Sequence, residues 1–352
     1  MMNMKIVCVY DGGITKDIMS KMIDLEKYGA EVKLIEDKQM PSMAEITDRM
    51  LLIEQNGIDA APTNEDLLKE CVDADVIVVH VASINKEIIN AAQNLKLVAV
   101  LRGGIENADI DYLSDKNIPL INAPWRSADA VADFTLGMMI AENKNIARAH
   151  KLIFDGKWCK KFVNQEYIHN MRNCTVGLIG YGYIGSRVKK RLTGFESRVV
   201  VYDPYVSKES IEKDGAEYVD LDTLLEESDF VSIHLRLSDD TKHIINKKTF
   251  EKMKDTAYFI NTARSGLVKT DDLIEALKER KIGGAAIDVF DDEPLPIDHP
   301  YLSLDNITLT SHLAGTSADT MKASVEIGYD ELELFLNGKE LRNVRNKNSN
   351  MK

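Results

Sequence analysis

Short apolar runs alternate with stretches in which apolar residues recur every three or four positions, and the alternation repeats along most of the chain. The runs suit strands buried on both faces, and the spaced stretches suit helices laid over them. In the first third, strands are expected at 5–10, 31–35, 75–81, 97–101 and 119–121, and helices at 15–28, 43–55 and 64–71. A second series has strands at Thr175–Ile179, Arg198–Tyr202, 230–234, 257–260, Gly284–Ile287 and Ile307–Leu309. Its helices are expected at Tyr183–Leu192, 222–227 and 270–280. This alternation predicts parallel sheets with helices on both faces. Between the series, Ser127 is the expected N-cap of a long helix running on towards Ile153. Its apolar residues exceed one stripe, so more than one face is expected to be buried. Residues 317–335 read as a last helix, returning to pack on the first series. The polar stretch 343–352 reads as a disordered tail.

One connection carries a special pattern. Thr175-Val-Gly-Leu-Ile runs into Gly180-Tyr-Gly182-Tyr183-Ile184-Gly185 and then into a helical stretch. This is the G-x-G-x-x-G dinucleotide pattern in its strand–turn–helix setting. Gly180 permits a tight turn, Gly182 lets the backbone approach a pyrophosphate, and Gly185 lets the helix pack on the strand. Phosphates would sit at the helix N-terminus, where free N–H groups favour anions. Asp203 ends the next strand, near the spacing of about 20 residues expected of a ribose-binding carboxylate. An acid there repels a 2′-phosphate, so the reading is NAD rather than NADP. The other reading of Asp203 is an acid capping the turn before Pro204.

Composition narrows the class. The chain has 352 residues, enough for two domains. Its net charge of −13 argues against nonspecific binding to nucleic acid or to an anionic membrane. No apolar stretch is long enough to span a bilayer. The four cysteines are scattered, with no C-x-x-C pair, which fits a reducing cytoplasm. No metal-ligand cluster stands out.

Three later strands are each followed by a chemically capable residue. Asn261-Thr262-Ala-Arg264 sets an arginine beyond one, Asp288-Val-Phe-Asp-Asp-Glu293 a glutamate beyond another, and Thr310-Ser-His312 a histidine beyond the third. Ligands of open α/β sheets bind outside the carboxyl ends of strands. Taken singly, each residue has a plainer reading as a packed, paired or solvated side chain. Together they form an expected acid/base set.

With these pieces in order, the chain resembles the D-isomer-specific 2-hydroxyacid dehydrogenases, most clearly from Val98 to Gly315. The resemblance rests on the glycine loop, Asp203, His234, Thr241, Asn261-Thr-Ala-Arg264, Asp288 with Glu293, and Ser311-His312 with Gly315. It implies an α/β fold of two doubly wound parallel-sheet domains with a cleft between them. One is a flavodoxin-like substrate domain at 1–123, completed by 316–345; the other is a Rossmann NAD-binding domain at 124–315, and 346–352 is a tail. It also implies a homodimer through the NAD-binding domains, with the Ser127 helix in the interface. The family's roles, carried onto matching positions, make His312 the acid/base, Glu293 its partner and Arg264 the grip on the substrate carboxylate and carbonyl. Gly180, Gly182, Tyr183, Ile184, Gly185, Asp203, His234, Thr241, Thr262 and Asp288 would serve the cofactor. Arg102, Gly103, Gly104 and Ile105 correspond to the family's carboxylate-binding turn, and Arg126 lies at the crossing into the long helix.

Elementary chemistry agrees with these roles. Oxidation of a 2-hydroxy acid removes a hydride from C2 and a proton from the hydroxyl, and a neutral imidazole can take the proton. A carboxylate beside the ring stabilises its charged form. A guanidinium holds a carboxylate in planar geometry. The chain departs from the family pattern at Glu106, where a second glycine is usual, at Ser265 and at Arg236. Trp125 and Arg126 read either as selectors of a polar or phosphorylated substrate tail or as packing residues. Two alternatives stay open: D-3-phosphoglycerate dehydrogenase, and a non-catalytic NADH-sensing protein like the C-terminal-binding corepressors.

Overall fold

The computed structural model describes residues 4–346. Its named strands form two sheets in which all pairings are parallel. The first sheet holds β1 (Met4–Tyr10), β2 (Ala30–Glu36), β3 (Val76–Val79), β4 (Leu97–Val100) and β5 (Leu120–Asn122), in the order β2-β1-β3-β4-β5. The second holds β6 (Thr175–Ile179), β7 (Arg198–Tyr202), β8 (Glu217–Tyr218), β9 (Phe230–Ile233), β10 (Tyr258–Asn261), β11 (Gly284–Ile287) and β12 (Ile307–Leu309). Its order is β12-β11-β10-β9-β6-β7-β8. The first order is flavodoxin-like, and the second is the Rossmann order extended by one strand. Each reverses once, between β1 and β3 and between β6 and β9.

The apolar runs explain the layering. Every residue of β3 (Val-Ile-Val-Val) and β4 (Leu-Val-Ala-Val) is buried. Burying a valine or leucine contributes roughly 1.5–3 kcal/mol, so neither face of such a strand can be left in water. Separate apolar clusters line the two faces of each sheet. In the second unit Phe250 meets Phe259 edge-on, with ring centroids 5.6 Å apart.

By contacts the chain divides into two compact units. One comprises residues up to Arg126 together with those from Ser317 on; the other is Ser127–Thr316. The helix Asp319–Leu336 belongs to the first unit, burying Val325, Tyr329 and Leu332 in the cluster that contains Ile6, Cys8 and Leu97. Tyr28 donates its hydroxyl hydrogen to Glu333 at 2.5 Å.

Three expectations need correction. The long helix from Ser127 is two helices, Ala128–Asn143 and Ile146–Phe154. Asn145 breaks it with a left-handed backbone, φ 56°, a conformation asparagine tolerates better than most residues. Buried Asn164 fixes the break, accepting from Asn145 at 2.7 Å and donating to the Asn143 carbonyl and to the Tyr258 hydroxyl. Ser127 starts the first of these helices without a side-chain cap. The 15–28 helix is one α turn, Lys16–Met19, followed by a 3-10 stretch, Ser20–Tyr28. Residues 343–346 are not a loose tail. Asn343 and Arg342 bind buried Glu331, Val344 bridges to Ile121, and buried Asn346 accepts from the Leu120 N–H at 2.8 Å. The remainder of the expected tail, 347–352, lies outside the described residues.

Candidate active site

The second unit carries the glycine loop at its switch point. After β6, Gly180 adopts φ 99°, a region open to glycine, while its N–H donates to the Tyr202 carbonyl at 2.9 Å. Gly185, in the first turn of the helix Tyr183–Leu192, lies so close to the strand end that a Cβ there would run into the Gly180 carbonyl oxygen. Over Gly182 the space is open, with no protein atom within 4 Å of where a Cβ would stand. The helix N-terminus can therefore meet a phosphate through its free N–H groups.

Asp203 caps the turn before Pro204 and also braces the glycine loop. Its Oδ2 accepts from the Tyr181 N–H at 2.7 Å, clamping the glycine loop. Its Oδ1 accepts from the N–H groups of Tyr205 and Val206 at 2.8 and 3.1 Å, capping the turn. A carboxylate has about four lone-pair sites, so three backbone donors leave it able to accept from a ribose hydroxyl. His234, just past β9, packs beside Gly180 and Gly185. Its Nε2 lies 3.0 Å from the Ser232 hydroxyl, and its buried Nδ1 has no partner. Burial pushes its pKa down to about 4, so the ring is neutral at neutral pH. Thr241 shapes the loop after β9, donating to the Arg236 carbonyl and accepting from the Ser238 N–H. Thr262 turns inwards to the Thr135 hydroxyl at 2.8 Å. The open loop and the acid at the end of β7 fit a dinucleotide.

The three strand-end residues gather in the same unit. Buried Asn261 at the end of β10 holds the next turn, accepting from the Ala263 N–H and donating to the Arg264 carbonyl, which leaves the Arg264 side chain exposed. His312 Nδ1 lies 2.8 Å from Glu293 Oε2, and Glu293 Oε1 accepts from the Phe290 N–H at 3.0 Å. Burial works against ionisation of Glu293. The hydrogen bonds from His312 and Phe290, with the charges of His312 and Arg264, outweigh it and hold the carboxyl below its ordinary range. His312 itself is about half exposed, and its backbone is left-handed at φ 55°.

Asp288 holds that backbone. It is fully buried after β11. Its carboxylate accepts from the Leu313 and Ala314 N–H groups and from the Thr310 hydroxyl, and its carbonyl accepts from the His312 N–H. In the described fold it positions the histidine turn, a duty its sequence position did not reveal.

In the first unit the expected carboxylate-binding turn follows β4. Asn122 donates to the Gly103 carbonyl at 2.6 Å, and Ile105 packs against the core. The Glu106 carboxylate folds back over Gly104 and lies 3.7 Å from Arg102. Sequence reading missed two residues here. Asp11 and His80 form a buried pair, Nδ1 to Oδ2 2.9 Å, and each directly follows a strand. The signal was present: the first residue beyond each of β1, β2, β3 and β4 is Asp11, Asp37, His80 and Leu101, with Arg102 next.

Residues 136–314 match the family model described as D-isomer specific 2-hydroxyacid dehydrogenase, NAD binding domain. The chain is 36% identical over 303 residues to a glyoxylate reductase of Thermofilum pendens, covering 85% of this chain and 89% of that protein. It is 36% identical over 304 residues to a D-3-phosphoglycerate dehydrogenase of Methanocaldococcus jannaschii, covering 85% of this chain but 57% of that protein. Among solved structures, a D-isomer specific 2-hydroxyacid dehydrogenase of Lactobacillus delbrueckii ssp. bulgaricus in its NAD-complexed form superposes with TM-score 0.75. At 23% identity, covering 97% of this chain and all of that one, it is similar in fold alone. Together with the open glycine loop and the two sheet orders, these matches place the chain in the D-isomer-specific 2-hydroxyacid dehydrogenase family, as an NAD-dependent oxidoreductase.

Proposed function

We propose that His312, Glu293 and Arg264 carry the interconversion of a small D-2-hydroxy acid and its 2-keto acid. The observation that carries this assignment is the 2.8 Å contact between His312 Nδ1 and Glu293 Oε2 at the carboxyl edge of the sheet that bears the glycine loop. With Nδ1 directed at the carboxylate, Nε2 is the ring atom left to exchange a proton with the substrate. In oxidation, neutral His312 takes the hydroxyl proton; in reduction, the imidazolium gives it to the carbonyl oxygen as negative charge develops there. Glu293 stabilises the imidazolium and fixes the ring. Arg264 grips the carboxylate and polarises the carbonyl. Gly180, Gly182 and Gly185, the helix start at Tyr183 and Ile184, and Asp203 would hold NAD. Bound NAD supplies the hydride acceptor for oxidation and, reduced, the donor for the reverse.

The test is a panel of 2-keto acids with NADH, including glyoxylate, pyruvate, hydroxypyruvate and phosphohydroxypyruvate. Turnover of at least one is expected. His312→Asn should lower kcat by 100-fold or more, in the range of a lost general acid, while NADH affinity measured by fluorescence is unchanged. Full activity in that variant would remove His312 from the mechanism.

The same reading takes the chain to be a cytoplasmic homodimer joined through the NAD-binding units, and the four cysteines, free in the described structure, suit a reducing compartment. The helix Ala128–Asn143 buries most of its apolar residues within its own unit. What lies uncovered is Ile146, Ile153, Phe154 and Trp158, the last two 80% and 81% exposed. Ile146, Ile153 and Phe154 stand at i, i+7 and i+8 of one helix and so share a face, and an exposed apolar helix face suits an interface.

A further inference from the structure

The helix Ala128–Asn143 packs against β10, β11 and β12, the strands that run into Arg264, Glu293 and His312. Thr135, Met138 and Glu142 recur at helical spacing and share its inner side. Thr135 meets Thr262, just past β10, and Met138 Sδ lies 3.7 Å from the Thr310 hydroxyl, just past β12. Glu142 reaches β11 and β12 together. Its Oε2 accepts from the Thr308 hydroxyl, in the middle of β12, at 2.6 Å. Its Oε1 lies so near Gly284, the first residue of β11, that a Cβ there would collide with it. Arg148 completes the arrangement from beyond the helix break. Its Nη2 donates to Glu142 Oε1 at 2.6 Å and its Nη1 to Asn145 Oδ1 at 3.0 Å. Its Nε donates to the Asp305 carbonyl at 2.6 Å, two residues before β12. One arginine thus fixes both the carboxylate and the entry to the strand.

Such a group is costly to keep inside. Glu142 is 1% exposed, and burial pushes its carboxyl up from the ordinary range, with Arg148 and the Thr308 hydroxyl offsetting only part of the effect. Exchanging a buried ion pair for apolar residues of similar volume is often neutral or stabilising, so stability alone does not account for this one. What an ion pair has and an apolar contact lacks is direction, because it holds particular atoms at fixed distances. The strands held here are the two that bring His312 and Glu293 together. β12 is three residues long, lies at the edge of the sheet and pairs with β11 alone among the named strands. So short a strand has few ladder bonds to set its height. Past the strand ends, Asp288 ties the pair through the Thr310 hydroxyl. Glu142 ties it lower down, at Gly284 and Thr308.

We propose that Glu142 is a positioning residue for the His312–Glu293 pair: through Thr308 and Gly284 it fixes the height of β12 against β11, and with it the reach of the imidazole to the carboxylate. Arg148 holds Glu142 in that role. Glu142 touches neither substrate nor cofactor and acts four residues upstream of His312, through the strand. The consequence for turnover rests on the dehydrogenase reading above; the positioning of the ring does not.

The mildest test is Thr308→Val in the full chain, which keeps the branched shape and removes only the hydroxyl. The ring nitrogen shifts of His312, read by long-range proton–nitrogen NMR and identified by their loss in His312→Asn, report which nitrogen carries the proton. In wild type the carboxylate favours the proton on Nδ1. Thr308→Val should move the ring towards the other tautomer, and Thr308→Ser, which keeps the hydroxyl, should move it back. With a 2-keto acid that wild type reduces, Thr308→Val should lower kcat roughly tenfold, as a displacement well under 1 Å would. NADH affinity measured by fluorescence should stay unchanged, and Thr308→Ser should restore kcat. Glu142→Gln keeps an acceptor for Thr308 and loses the charge that holds Arg148, so its kcat should fall between those of wild type and Thr308→Val. A merely structural contact would lower the melting temperature of Thr308→Val and leave the nitrogen shifts and kcat as they are, and that result overturns the proposal. If wild type reduces no keto acid, the dehydrogenase assignment falls, and the nitrogen shifts of Thr308→Val and Thr308→Ser still decide the positioning.

Discussion

Glu293 stands between the His312 ring and the backbone, with one oxygen on His312 and the other on the Phe290 N–H. Its carboxyl is held below the ordinary range, so it is ionised at neutral pH. Its stabilising contribution is complete above the usual carboxylate pKa and is lost as pH falls through the lowered folded value. Replacement by glutamine removes the charge that favours the imidazolium. The alkaline limb of the reductive pH–rate profile of Glu293→Gln should therefore move towards acid, and an unchanged profile would separate the two residues. His234 has the opposite balance. It is a base with a folded pKa lowered to about 4. Below its unfolded pKa the unfolded chain binds a proton that the fold refuses, so stability falls between about pH 6.5 and pH 4 by on the order of 3 kcal/mol. Denaturant titration of the NAD-free protein across that window should show this slope, and His234→Asn should flatten it.

At the scale of elements, strand positions were legible because a parallel strand buried on both faces must be apolar throughout. β6, β7, β11 and β12 were read to the residue for that reason. The helices Lys86–Ala91, Ile110–Asp115 and Lys208–Lys213 were not seen; at six residues each, they are too short to show a helical period. The break at Asn145 was missed because apolar residues continue across it. What interrupts the helix is a partner far along the chain, Asn164, whose amide spans Asn143, Asn145 and Tyr258. Asn164→Ala strands several buried polar groups and should cost roughly 2–3 kcal/mol. Chemical denaturation would measure it, and a cost below 0.5 kcal/mol would mean that the break is set locally.

For the whole molecule, two results of folding bear on function: the return of the chain end to the first unit and the apolar face left uncovered on the second. A chain that dimerises through that face should lose the dimer when it is charged. Phe154→Asp with Trp158→Glu is expected to halve the mass seen by light scattering while melting cooperatively, since both side chains lie outside the core. A double variant that remains dimeric would move the interface elsewhere. The meeting of Glu293 and His312 was legible in the sequence because strand ends in an open parallel sheet converge on one edge, so order along the chain predicts a shared neighbourhood.

Periodicity and the glycine spacing by themselves determined the two sheets and the nucleotide loop, because burial and backbone sterics act within a few residues of each position. The partners of buried polar groups were settled by the fold alone. That Asp288 carries the histidine turn, that Asp203 serves loop and turn together, and that Asp11 aligns His80 are facts about distances between residues remote in the chain. A polar side chain written in sequence has no orientation. It acquires one when packing removes water and leaves it a single set of donors and acceptors.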